Sequence, residues 1–570
     1  MLFVKLSTVF TYTFYLVGTA LLCGILNGSY WFYEWHHSTR FPSKHRYEFI
    51  IVGSGTAGST IASGIPSTDV LILEAGSMRP GLMDIPLLQP LLQGTSYDWR
   101  YQTEPQDGAC RGLNDRRSNW PMGRVFGGTD MFNNMVHYRA QRGDFREWFN
   151  GDGQLNAFME GFERGTYVEE LSFGTELGGA FIKAAGEAGL EEELFYRPNM
   201  STSGGRRWTR SHRYWERSRA GHELILNALV TKVIIDGRQA VGVVVRKNGK
   251  DVQVVASKGV ILAAGTIGSA KILLHSGVGP TQHLEETGVN PVVDLKVGEN
   301  LQDHVTTGMD LVLLSHQLPL RAWNLVSPMN VGRYLFADGR NSSLAFGGCE
   351  CLGFVNFDSN FTHSLGFMVL PVGITIDTGH HLRNLINLRE DVWNAYFRPL
   401  VERGQQSVTI LPILLHPKSK GFIRLRDSNP QSSPLIQPNY LQEQEDIQTL
   451  ITGLKILQQI LDQPGMRALG AELNPKPFPG CERHPFGSDS YWECYIRELT
   501  LTLYHPVGTC RMGPESDPDA VVSNKDFKVH QLDNLYVVDG SIMPNLPSGN
   551  PNSVIVALAK YFLRVRFSSQ

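Results

Sequence analysis

Apolar residues in this chain fall into short runs separated by glycine, proline and polar stretches, and the period of the runs changes along its length. Phe49 to Val52 is a continuous apolar run, the pattern of a strand buried on both faces. Glycines at 53, 55 and 58 follow, then a helical stretch starting near Thr56, then a second apolar run, Val70 to Leu73, that ends in Glu74. This predicts strand, tight turn, helix, strand. Residues 175–188 carry a helical stripe. LILNALVTKVIID and AVGVVVRKN flank Asp236-Gly237, which predicts a hairpin. Residues 258–280 repeat the order strand, glycine turn, helix, and could return the chain to the first sheet. Residues 407–425 read as strands, Asp446 to Leu461 as a helix, and 547–562 as a loop opening a C-terminal helix. Residues 77–120 show few helix signals, and 305–400 show weak periodicity that assigns no elements.

The first unit carries G-x-G-x-x-G. Gly53 makes the tight turn, Gly55 lets a pyrophosphate approach the backbone, and Gly58 lets helix and strand pack closely. The helix N-terminus favours an anion, and an acid at Glu74 can accept from a ribose hydroxyl. A dinucleotide site is therefore expected here. Gly123, Gly127 and Gly128 form a second permissive loop, with the neutral amides Asn133 and Asn134 beside it. The basic stretch 204–221 could meet phosphate, but Glu216 and the aromatics favour a solvated helix face.

A chain of 570 residues exceeds one hydrophobic core, so two connected domains are expected. It is 42% hydrophobic and 19% charged, with net charge −3, which gives no support to a nucleic-acid partner. Residues 1–28 differ from the rest. Lys5 precedes an uncharged apolar stretch reaching Leu26, which reads as a cleaved secretory signal or an uncleaved membrane anchor, the signal being favoured. Residues 29–45 read as a linker, with aromatics that could sit at a membrane interface. Either way the body faces the secretory lumen or the outside. Sequons at Asn27, Asn199, Asn341 and Asn360 fit a secreted glycoprotein. Of the seven cysteines, Cys481 and Cys494 share a loop-like stretch where a disulfide is plausible, and none has zinc-ligand spacing, so no metal is expected.

VGSGTAG with Glu74, GRVFGGTDMFNNM, AAGTIGSAKILLHSGVGP with VGENLQDH, YHPVGTCRMGP and VDGSIMPNLPSGNPN occur in that order. On these blocks the chain resembles the glucose–methanol–choline oxidoreductase family, and within it the insect glucose-dehydrogenase-like branch, from Tyr47 to about Phe562. The resemblance implies an α/β protein with an α+β substrate part: a Rossmann-type FAD-binding domain, discontinuous in sequence, with an inserted substrate domain built on an antiparallel sheet. It implies an FAD-binding N-terminal region at 46–304, a variable substrate segment at 305–400, and a C-terminal region at 401–566 that completes the FAD domain from about 530. It places FAD around Gly53, Gly55, Thr56, Ala57, Gly58, Glu74, Gly123, Val125, Gly128, Asn133, Met135, Val230, Ala264, Gly265, Asp539, Gly540 and Asn552. It places the reaction at His505, with Asn550 as its partner.

The activity implied is oxidation of an alcohol to a carbonyl, with hydride passing to flavin N5 and His505 taking the hydroxyl proton. A neutral imidazole, with a reference pKa near ~6.5, suits that task, and a neutral amide can orient the hydroxyl. Some relatives tether FAD through a histidine just before the asparagine of the glycine loop. That position is Phe132 here, so FAD is expected to be non-covalent. Thr129-Asp130 stands where many relatives have Ser-Ser, which puts an acid near the flavin. The expected partners are a small-molecule alcohol and an acceptor, oxygen or quinone. An apolar alcohol such as a retinoid or ecdysteroid is favoured by the aromatic-rich middle region; a sugar is the alternative. A nicotinamide dehydrogenase and a flavin-binding carrier without turnover are the competing classes, and the histidine and asparagine blocks argue against both.

Overall fold

The computed structural model describes Glu34 and residues 39–567, apart from 139–140, 150, 164–167, 172, 217–220, 321–327, 358–362 and 377–380. The 1–28 segment and the sequons at Asn27 and Asn360 lie outside the described residues. Among the described residues no helix is long and apolar enough to cross a membrane.

The first sheet grows from the glycine unit. Its strands are β1 (Arg46–Val52), β2 (Val70–Leu73), β3 (His222–Ile225), β4 (Leu229–Asp236), β5 (Gln239–Lys247), β6 (Lys250–Leu262) and β7 (Leu535–Val537). The order β3–β2–β1–β6–β7 is parallel throughout. Parallel strands covered on both faces need apolar residues at every position, and Ile50, Ile51 and all of β2 are buried. The other half of β6 turns back antiparallel against β5, and β5 pairs with β4. This is the hairpin expected around Asp236-Gly237, with Gly237 at φ +57°. Helices α1 (Thr56–Gly64), α2 (Gly265–His275) and α3 (Asn552–Phe567) pack on this sheet, and their apolar faces share one core with it. The late strand β7 thus completes a sheet begun by Arg46 in β1, and α3 covers it, although Leu535 lies 489 residues after Arg46.

The second sheet is antiparallel, in the order Glu472–Leu473, Val312–Leu314, Gln406–Leu414, Leu365–Leu370, Cys351–Val355, Phe195–Tyr196. Its strands come from the early, middle and late stretches alike. Gln406–Leu414 is buried at every position after the first. Helices Glu176–Glu187, expected from its stripe over 175–188, and Gln444–Leu461, expected from Asp446 to Leu461, share the core on its far face. Cys481 and Cys494 form a disulfide.

One expectation is corrected. Part of the basic stretch is a helix, Arg210–Glu216, but Arg207 and Arg210 are buried rather than solvated. The Arg207 guanidinium donates to the carbonyls of Met83, Asp130 and Asn133 and to Asn133 Oδ1. Loop carbonyls that no strand or helix partner satisfies require such a donor, so the cation holds the second glycine loop in place.

Candidate active site

A cleft with about 1600 Å³ of atom-free space, its open mouth included, runs along the first sheet from the turn after β1, past the second glycine loop, to the segments that carry His505 and Asn550. At one end is the turn after β1. Gly53 has φ +99°, and a Cβ there would stand 2.4 Å from Ala263 O. A Cβ on Gly58 would stand 1.9 Å from Gly53 O. Both positions exclude any side chain. Gly55 differs: a Cβ there would meet nothing nearer than Gly128 Cα at 3.8 Å, so its backbone is open to the cleft. Helix α1 starts at this point with no side-chain cap and no acid in its first turn. Uncapped amides at a helix N-terminus, beside bare glycine backbone, suit a pyrophosphate.

Nearly all the residues expected around FAD line this cleft: Gly53, Gly55, Thr56, Ala57, Glu74, Gly123, Gly128, Asn133, Met135, Val230, Ala264, Gly265, Asp539, Gly540 and Asn552. Gly58 and Val125 do not. Gly58 sits behind the turn, and Val125 is buried in a separate cluster with Met83, Met131 and Phe132. Glu74 is buried and already accepts from Ser54 N, Ser54 Oγ and Gly76 N, so it braces the turn as well as facing the cleft. Asp539 accepts from Gly265 N and Ser269 Oγ, and so fixes the start of α2. Asp130 accepts from Asn133 Nδ2 at 2.9 Å and Asn552 Nδ2 at 3.1 Å, and Asn552 also donates to Thr56 Oγ1. Burial pushes the Asp130 carboxyl up, against the pull of Arg207 and Arg210. Asp130 thus ties the second glycine loop to α3 and, through Asn552, to α1.

At the other end stand His505 and Asn550, with Asn550 Nδ2 3.3 Å from His505 Nε2. Burial pushes the His505 imidazole down to about 3, so it is neutral at ordinary pH. Three further residues, which no sequence signal singled out, control it. His304 Nδ1 is 2.9 Å from His505 Nδ1, and His304 Nε2 is 3.1 Å from the Pro547 carbonyl. A carbonyl only accepts, so His304 Nε2 carries the proton and donates. Burial, and after it the neighbouring His505, hold His304 well below the usual range and therefore neutral, so its Nδ1 is a lone pair. That lone pair accepts from His505 Nδ1–H, which leaves His505 Nε2 unprotonated beside Asn550 and the cleft. Asp303 accepts from the His505 backbone N–H at 2.8 Å, and from Thr502 Oγ1 and the Tyr440 hydroxyl. Trp120 Nε1 donates to Tyr440 in turn. Burial raises the Asp303 carboxyl to about 6. Asp144 accepts from Ser548 N and Oγ and so pins the loop that carries both the Pro547 carbonyl and Asn550. His304 and Asp303 lie in VGENLQDH, but nothing in the spacing of that block shows that it folds beneath residue 505.

Two family models, both described as GMC oxidoreductase, match residues 47–306 and 417–559. The chain is similar to the glucose dehydrogenase (FAD, quinone) of Drosophila melanogaster, 31% identical over 92% of this chain and 87% of that one. It is 32% identical to the alcohol dehydrogenase (acceptor) of Pseudomonas putida, over 90% and 94%. It is 30% identical to human mitochondrial choline dehydrogenase, over 91% and 89%. Among solved structures it is similar to pyridoxine 4-oxidase from Mesorbium loti, with TM-score 0.74, 25% identity and coverage of 92% and 99%. It shares the fold of a formate oxidase from Aspergillus oryzae, with TM-score 0.76 at 20% identity over 92% and 99%.

Proposed function

The chain belongs to the GMC oxidoreductase family, and from that premise we propose that it oxidises the CH–OH group of an apolar alcohol to a carbonyl, with His505 as the base. As a family member it is an FAD-dependent dehydrogenase or oxidase. The observation that carries the reading is the facing pair of His505 Nε2 and Asn550 Nδ2 at the end of a cofactor cleft.

The cleft residues fit FAD. The amides at the start of α1 and the bare backbone of Gly55 and Gly128 would hold its pyrophosphate, Val230 its adenine end, and the Asp130–Asn552 wall its ring end. FAD, when bound, supplies the hydride acceptor, chemistry that no side chain offers. The attachment is non-covalent in this reading, since Phe132 has no nucleophilic nitrogen and lies buried among apolar residues.

The 3.3 Å contact between Asn550 and His505 is long, and a hydroxyl placed between them would accept from Asn550 and donate to His505 Nε2. An imidazole pushed down to about 3 does not remove that proton from a resting alcohol. It takes it as the C–H bond breaks, when the hydroxyl becomes far more acidic. The imidazolium formed keeps its Nδ1–H on His304, whose neutral ring shares the charge, and Asp303 fixes the backbone at residue 505. Both groups act only by holding His505 in the protonation state and place the step needs.

An apolar substrate, in the class of a retinoid or an ecdysteroid, is preferred to a sugar, although the Drosophila relative is named for glucose. The acceptor is oxygen or a quinone. The disulfide fits folding in an oxidising compartment, which supports a secreted or luminal protein, cleaved or anchored at its N-terminus. Anaerobic bleaching of the flavin by a panel of alcohols tests the reading: bleaching supports it, and a stable oxidised spectrum with every alcohol favours a flavin-binding carrier.

A further inference from the structure

His505 and Asn550 border two spaces. One is the cofactor cleft; the other is a narrow hollow beneath the second sheet. Strands Cys351–Val355 and Leu365–Leu370 supply Leu352, Phe354 and Met368 to its wall, and Ile413, Leu415 and Leu503 close it. Alternation along a strand sends every second side chain to one face, which is how Leu352 and Phe354 reach the same space. The polar side chains on this wall, among the described residues, are His304, His505 and Asn550, all engaged at the reacting pair. His304 spends both ring nitrogens on Pro547 and His505.

We propose that this hollow receives a short alkyl group borne on or next to the carbinol carbon, so that the enzyme takes alcohols with an alkyl group at that position and rejects those with a second hydroxyl there. The inference rests on His505 and Asn550 being the reacting pair. A hydroxyl held between them points its carbon substituents either along the cleft or into the hollow. Inside the hollow a methylene leaves water and meets Leu, Met, Ile and Phe side chains, which favours binding. A second hydroxyl there loses its water and finds no free partner. Discrimination of this kind is strong against added polar groups and graded for added methylenes.

The test compares compounds of equal carbon count, 1-butanol and erythritol, on the FAD-loaded protein without oxygen. Two signals are read: the rate of flavin bleaching, and binding seen as a perturbation of flavin absorbance and a rise in unfolding temperature. The expected result is that 1-butanol binds at least about tenfold more tightly. Reduction efficiency should rise by about fourfold per methylene from ethanol until the hollow is full, then level. Met368→Ala, or Leu415→Ala if the first variant folds poorly, should move that levelling point to a longer alcohol. Erythritol binding as tightly as 1-butanol overturns the proposal, as does a chain-length profile unchanged in both variants. If 1-butanol binds as expected but bleaches nothing, the proposed reaction fails and the hollow stands. If neither compound binds, both fail.

Discussion

The two ends of the cofactor cleft are built from different material. At the glycine end the ligand-facing groups come from one short stretch, Gly53 to Ala57, shaped by Gly53 and Gly58, which tolerate no Cβ, with the backbone of Gly55 left open. At the histidine end they are the side chains of His505 and Asn550, held from behind by His304 and by Asp303 with its partners Tyr440 and Thr502, through hydrogen bonds spanning up to 243 residues. The glycine end binds by shape and needs no particular protonation state. The histidine end works only if one ring nitrogen of His505 is bare, and it buries a partner histidine to make that so. Affinity and turnover should therefore be separable by mutation.

The largest separation is expected at His505→Ala. Flavin reduction should slow by on the order of 10²-fold or more while FAD stays bound, read by anaerobic stopped-flow absorbance. Loss of FAD in this variant would break the comparison by coupling the two ends.

Gly53→Ala should do the reverse. A side chain at φ +99°, 2.4 Å from Ala263 O, costs enough to weaken FAD binding by about tenfold or more. The measurement is flavin absorbance per mole of purified protein. With FAD added in excess, the reduction rate should recover toward the native value.

His304→Leu sharpens the account of the histidine end. Without its acceptor, His505 Nδ1–H is orphaned, and the alternative tautomer, with the proton on Nε2, becomes competitive. Reduction should slow by up to about tenfold, the worth of one buried hydrogen bond, with FAD affinity unchanged. A native rate would remove His304 from its positioning role.

The smallest effect is a pH dependence. The Asp303 carboxyl, raised to about 6 by burial, gains a proton as pH falls through that value and then holds the His505 backbone less firmly. Reduction should decline by less than about tenfold below pH ~6, and Asp303→Asn should lose that limb. The sign for stability is opposite. The folded state binds this proton more tightly than the unfolded chain, so the group's stabilising contribution is full below about 4 and is lost as pH rises through about 6.

What could be read in the sequence follows the same division. The glycine spacing, the apolar runs of β1 and β2, the Asp236-Gly237 hairpin, the stripe over 175–188 and the helix read from Asp446 to Leu461 are local signals, and the structure holds each of them. The second sheet was only partly legible. Its strands at Cys351–Val355 and Leu365–Leu370 are short and buried on nearly every residue, so neither period shows. Arg207 and Arg210 read as surface charge because composition does not reveal burial, nor that loop carbonyls await the Arg207 guanidinium. His304 and Asp303 belong to VGENLQDH, whose spacing assigns them no role, since only the folded chain brings residue 304 against residue 505. Val125 carries the opposite lesson: it belongs to the cofactor block, yet packs with Met83 behind the wall.

The most direct test of the central claim is anaerobic reduction of the flavin by one alcohol and by the same alcohol deuterated at the carbinol carbon, in the native protein. If His505 takes the proton while hydride leaves carbon, the flavin bleaches and the deuterated alcohol bleaches it several-fold more slowly. If the spectrum stays oxidised with the whole alcohol panel, or the two isotopologues reduce it at one rate set by the chemical step, the assignment of this cleft to alcohol oxidation through His505 is wrong.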